Sequence, residues 1–97
     1  MPALTVARMT IKDPEKFNNY ASRAPNSMET YGGEFVYGGK VDKCLSGGDA
    51  DHLLTVIYKF PSLEAVNDWF ASQSYQVLLS QLDGVADMEI TSYEVVE

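Results

Sequence analysis

The segment "YKFPSLEAV", residues 58–66, decides how this chain is read, because "MTIKDPEKF" at residues 9–17 repeats its form. Each passes from β-prone residues into a turn with a proline. Each turn also carries a capping side chain, and an acidic residue and apolar residues at helical spacing come after it. In the earlier copy Asp13 caps free N–H groups, Pro14 takes the first helical position and Glu15 suits the positive helix end. In the later copy Ser62 is the cap and Glu64 lies in the first turn.

Extended segments lie on either side of these two starts. "ALTVARMTI" (Ala3–Ile11) reads as a strand, "HLLTVIYKF" (His52–Phe60) as a second, and "DMEITSYEVV" (Asp87–Val96) as the last. "EFVYGGKVDKCL" (Glu34–Leu45) is also extended, and Gly38-Gly39 inside it predicts a bulge or bend. "SGGDAD" (Ser46–Asp51) is a loop by composition. Phe17, Tyr20, Ala21, Ala24, Met28 and Tyr31 form the apolar face of the first helix, which Gly32-Gly33 stops. Leu63, Val66, Trp69 and Phe70 form that of the second. "SQS" at 72–74 interrupts it, and Tyr75, Leu78, Leu79 and Leu82 restart it, so the helix steps there; Asp83-Gly84 ends it. The order is β-α-β-β-α-β, the signature of a ferredoxin-like α+β sandwich. It predicts a four-stranded antiparallel sheet with two helices on one face.

At 97 residues the chain reads as one domain, 1–97, large enough for a thin core. A net charge of −7 argues against nucleic acid and anionic membrane surfaces as partners, since both call for Lys and Arg clusters. No basic and apolar leader follows Met1, and no apolar run approaches the roughly 20 residues of a membrane span. Cys44 is the only cysteine, so no internal disulfide can form, and a cytoplasmic setting is expected.

Helices on one side leave the other sheet face bare, and that face should be polar. Here both faces are apolar. Leu54, Val56, Tyr58 and Phe60 alternate with Leu53, Thr55, Ile57 and Lys59; Ala3, Ala7, Met9 and Ile11 alternate with Leu4, Val6, Arg8 and Thr10. An apolar face of this size marks an interface, and the economical arrangement is a homodimer with its sheets face to face.

Asp13-Pro14, Tyr20, Ala24-Pro25, Gly32-Gly33, Phe60-Pro61-Ser62, Trp69 and Tyr75-Gln76 together resemble the DUF1330 family of the dimeric α+β barrel superfamily, over nearly the whole chain. That resemblance implies a homodimeric α+β barrel. The superfamily also holds antibiotic-biosynthesis-type monooxygenases and haem-degrading enzymes, which act on aromatic or polycyclic ligands. The chain departs from the family pattern in two places. Relatives often carry a tryptophan where this chain has "SGGDADH", and an arginine where it has "LLSQLDGV". Its ending, "DMEITSYEVV", looks more like the monooxygenase type.

The aromatic cluster of Tyr58, Phe60, Trp69, Phe70 and Tyr75 reads first as core and interface. Tyr20, Trp69 and Tyr75 have apolar bodies with polar tips, and they are also candidates to bind a small, aromatic ligand. Any cavity is expected between helices and sheet, bordered by Trp69 or Tyr75, where "SQS" and Pro25 make the helices irregular. Pro25 implies either a kink that opens a cleft or a break between two short helices. Arg8, mid-strand among apolar residues, needs a partner, either a bound anion or a carboxylate across the dimer. His52, with Asp49 and Asp51 beside it, has too few ligands for a metal site, and no metal or cofactor is expected. No Ser-His-Asp set, phosphate loop or zinc spacing is present. The sequence supports a small-molecule binding protein, with a cofactor-independent monooxygenase or isomerase as the alternative.

Overall fold

Asp13 begins the first helix as its position implies. Its carboxylate accepts from Lys16 N at 3.1 Å, and Pro14 follows at the first helical position. The computed structural model describes residues 1–48 and 52–96. Within them the order is β1 (Ala3–Ile11), α1 (Pro14–Glu29), β2 (Glu34–Lys40), β3 (Leu54–Phe60), α2 (Leu63–Ala71), α3 (Gln73–Ser80) and β4 (Ala86–Glu94). Ser62 caps α2 by accepting from Ala65 N at 3.1 Å. Ser72 serves two helices. Its hydroxyl donates to Trp69 O at 2.6 Å, closing α2, and accepts from Tyr75 N at 3.3 Å, opening α3. The step expected at "SQS" is this shared cap, so the second helical region is two helices.

The strands form one antiparallel sheet in the order β2-β3-β1-β4, the ferredoxin-like α+β arrangement. β2 ends at Lys40, short of Leu45, and its register shifts between Phe35 and Tyr37 rather than at Gly38-Gly39. The glycines that matter for geometry lie before it. Gly32 has φ +81°, and a Cβ on Gly33 would come within 2.9 Å of both Met28 Cβ and Phe60 Cζ. The chain can therefore pass tightly from α1 into β2 only without a side chain there.

Ala3, Met9, Tyr20, Ala24, Phe60, Trp69 and Tyr75 are all buried between helices and sheet. Trp69 stacks at a tilt on Tyr75 with ring centroids 4.2 Å apart, and on Phe60 at 5.5 Å. Such pairs add about 0.5–1.5 kcal/mol each beyond the area they bury. The indole N–H is not stranded: Trp69 Nε1 donates to Ser27 Oγ at 3.1 Å, and Ser27 Oγ donates to Ala24 O at 2.7 Å. This chain of bonds ties α2 to α1 inside the core. Among the described residues, no helix is long and apolar enough to cross a membrane.

Removing the Ser27 hydroxyl leaves a buried N–H unpaired. Ser27→Ala is expected to lower unfolding stability by about 1–3 kcal/mol. Urea unfolding followed by Trp69 fluorescence measures this, and an unchanged midpoint would show that the bond contributes nothing.

Candidate functional site

β1 is a central strand, and its pleat sends Ala3, Thr5, Ala7 and Met9 towards the helices. Three of these four are small. Above them α1 presents Ala21, Ala24 and Pro25. Small residues facing small residues leave space, and a cavity of about 230 Å³ lies here between α1 and the sheet. Val56, Tyr58, Met9 and Ile90 extend its floor, while Phe17, Tyr20, Met28 and Trp69 close its sides. α1 continues through Pro25, so of the two alternatives the break into two short helices does not occur. Pro25 has no N–H to bond the Ala21 carbonyl, and both residues stand on the cavity wall.

Of the residues singled out from the sequence, Tyr20 and Trp69 line this cavity. Tyr75 does not line it. Its fully buried side chain lies behind, with its hydroxyl 2.7 Å from that of Tyr20. Arg8 lies on the opposite face of the sheet, because it alternates with Ala7 and Met9. There Arg8 Nη1 meets Glu89 Oε2 of the same chain at 3.4 Å, a partner within the sheet rather than the expected carboxylate across a dimer. Both groups are well exposed, so the pair contributes at most about 1 kcal/mol.

His52 is likewise on that outer side. Its Nδ1 is 3.1 Å from Thr10 Oγ1 and its Nε2 is 3.8 Å from Glu89 Oε1, so the ring is largely enclosed rather than free in solvent. Asp49 and Asp51 lie outside the described residues. No group of three or more His, Cys, Asp or Glu able to hold a metal occurs among the described residues. Arg8, Lys40, Cys44 and His52 border an open recess separate from the cavity.

The cavity is nearly without charge. Among the described residues no Asp, Glu, His, Lys or Arg lines it, and its ionisable groups are the phenols of Tyr20 and Tyr58. Burial pushes the Tyr20 phenol far above its ordinary 10.0, and the neighbouring Tyr75 and Tyr58 phenols raise it further. Burial also raises Tyr58 and Tyr75, although the Tyr20 hydrogen bond draws Tyr75 back. Around neutrality the site therefore offers hydroxyl hydrogen bonds and apolar contact.

Sequence reasoning missed Thr5, Ala7, Met9, Val56, Tyr58 and Ile90 as lining residues. The signal that would have found the space is the Ala-Thr-Ala alternation at 3, 5 and 7 facing Ala21, Ala24 and Pro25.

The family model described as a domain of unknown function (DUF1330) matches residues 2–96. No curated protein matches the chain. Among solved structures, RPA0582 from Rhodopseudomonas palustris, a protein of unknown function, superposes with a TM-score of 0.75 at 17% identity, covering 99% of this chain and 83% of that one. SnoaB from Streptomyces nogalater, a cofactor-independent oxygenase, gives 0.70 at 15% identity over 99% and 94% of the two chains. A dimeric ferredoxin-like protein of unknown function from Thermobifida fusca gives 0.66 at 9% identity over 98% and 92%. At these identities the likeness shows the fold alone.

The buried phenols make stability depend on alkaline pH. Above pH 10 the unfolded tyrosines lose their protons while the buried ones keep them, so the unfolded state binds fewer protons and stability falls. The contribution is fully present below pH 10. Denaturant unfolding between pH 8 and 11 is expected to show a shallower alkaline loss in Tyr20→Phe than in the parent. Parallel profiles for the two proteins would refute the assignment.

Proposed function

The chain belongs to the DUF1330 family, and from that premise we propose that it is a homodimeric protein that binds a small, uncharged, aromatic molecule in the cavity between α1 and the sheet. The observation that carries this reading is the cavity itself, about 230 Å³, with apolar walls and aromatic sides. An apolar cavity of ~150 Å³ holds one benzene, so this space suits one ring or two fused rings. Tyr20 and Trp69 are the proposed binding residues from the sequence reading. Tyr75 acts from behind by holding the Tyr20 hydroxyl. Arg8 has no part in this cavity.

The alternative is a cofactor-independent oxygenase or isomerase, favoured by the fold shared with SnoaB. Such chemistry commonly begins with removal of a proton from the substrate. Among the described residues the cavity lining supplies no carboxylate, imidazole or amine for that step, and its phenols are held protonated. Binding without turnover is therefore the stronger reading.

The homodimer rests on the outer sheet face. Leu4, Val6 and Ile57 lie there in adjacent register, flanked by Tyr37, 73% exposed, and Tyr93, 51% exposed. A continuous apolar patch of this kind calls for a cover. A second copy packing the same face supplies one with two-fold symmetry. The exposed free thiol of Cys44 fits a reducing, cytoplasmic setting.

Trp69 is the only tryptophan and lies on the cavity wall, so its fluorescence reports occupancy. Tetralin, a bicyclic hydrocarbon, is expected to bind the parent protein and to shift this emission. Ala7→Leu, which fills the floor, is expected to weaken binding at least tenfold while far-ultraviolet circular dichroism stays unchanged. Equal tetralin affinity in parent and variant would sink the reading, as would no binding at all. Oxygen uptake during incubation with small aromatic compounds would instead establish the oxygenase alternative.

Light scattering at micromolar concentration is expected to give about twice the 10.7 kDa chain mass. A mass near 10.7 kDa would leave the outer face without its proposed partner.

A further inference from the structure

Thr5 stands apart from the other lining residues. It is a polar residue on the floor of an apolar cavity, and only 3% of its surface is exposed. Its hydroxyl makes no hydrogen bond among the described residues, whereas the buried hydroxyls of Ser27, Tyr20 and Tyr75 all do. Nor is the oxygen sealed in protein: no buried side-chain nitrogen or oxygen among the described residues lacks a partner. The Thr5 oxygen therefore faces open space. Thr5, Trp69 and Ile90 also line a smaller space of about 160 Å³ towards β4, so the two spaces adjoin at Thr5. A hydroxyl kept from protein partners and from bulk solvent is suited to a polar atom of a ligand.

The Tyr20–Tyr75 pair narrows the chemistry. Each hydroxyl carries one proton, and they share one short bond of 2.7 Å. Tyr75 is fully buried and its hydroxyl has no other partner among the described residues. Either hydroxyl can donate in that bond, and the proton left over has a poor acceptor or none: for Tyr20 it is Met88 Sδ at 3.9 Å, and for Tyr75 no further partner occurs among the described residues. The site and the pair behind it thus hold hydroxyl protons with poor or absent acceptors, and among the described residues no cationic group lines the cavity to bind an anion.

We infer that the ligand is an uncharged bicyclic carbonyl compound, a ketone or quinone, whose oxygen accepts a hydrogen bond from the Thr5 hydroxyl. This rests on the binding reading above and names the ligand class and a specificity-determining residue for it. Carbonyl oxygen is an acceptor without a proton of its own, which is what a site rich in donors selects. A carboxylate of the same size loses its hydration on entry and meets no charge to replace it.

The test compares 1-tetralone with tetralin, which share a bicyclic skeleton and differ in the carbonyl. Binding is followed by calorimetry and Trp69 fluorescence in the parent protein, Thr5→Val and Thr5→Ser. Valine matches threonine in shape, so the fold and cavity volume are kept. Thr5→Val is expected to weaken 1-tetralone about five- to tenfold, the worth of one neutral hydrogen bond, while leaving tetralin unchanged. Thr5→Ser is expected to recover most of that loss. If tetralin binds and 1-tetralone shows no sensitivity to Thr5→Val, the carbonyl assignment falls while the apolar binding site stands. Equal weakening of both probes would assign Thr5 a packing role and also overturn the assignment. Failure of both probes to bind the parent would remove the binding reading and this inference with it.

Discussion

β1 lies at the centre of the sheet, paired with β3 on one side and β4 on the other, so its pleat governs both faces of the molecule. The distribution of bulk along it is inverted relative to an ordinary half-buried strand. Ala3, Thr5 and Ala7 point inward, where volume is needed to fill the core, and Leu4 and Val6 point outward. Side chains at successive positions must take opposite faces, so a slip of one residue would exchange the two sets. The antiparallel register with both neighbours, pairing Ala7 with Val56 and Ile90, holds the inverted arrangement in place.

Two consequences follow from that one constraint. Inside, the missing volume opposite Ala21, Ala24 and Pro25 becomes a cavity rather than core. Empty apolar space costs dispersion contacts, so it persists only because the surrounding frame is rigid. That frame is the Phe60–Trp69–Tyr75 stack together with the Trp69–Ser27 and Tyr20–Tyr75 bonds, which join all three helices to one another behind the cavity. Outside, the aliphatic residues that would have filled the core lie on the open face, where solvent meets Leu4, Val6 and Ile57. Open space within and an apolar surface without are thus the two sides of one strand's composition.

Much of the architecture was legible in the sequence, because caps and periodicity are local signals. Asp13, Ser62 and the interruption at Ser72 behave as their chemistry implies, since each needs only neighbours within a few residues. The placement of the β2 irregularity was not legible. Glycine permits a bulge, but pairing with β3 determines where one falls, and that is a non-local matter. The cavity shows the same division. Tyr20 and Trp69 announce themselves as large aromatics, whereas Thr5 and Ala7 matter for the volume they lack, which no property of a single residue reveals. Arg8 was drawn to notice as a charge among apolar neighbours, and strand alternation alone places it away from the helices, where Glu89 meets it.

Charge separates what can enter from what cannot. The chain carries a net −7, yet among the described residues no charged side chain lines the cavity, whose ionisable residues are neutral phenols. An anionic molecule is repelled at long range by the surface and then loses hydration without compensation inside. A cation is drawn to the surface but meets no carboxylate among the described residues of the cavity wall to replace its water. Only an uncharged molecule avoids both penalties. In the proposed binding, attraction comes from apolar contact with Phe17, Met28 and Trp69, and orientation comes from the few hydroxyls in reach. On that proposal affinity and orientation are carried by different residues, so changes at Thr5 are expected to act on which molecule is preferred, and changes at Ala7 on whether any molecule fits.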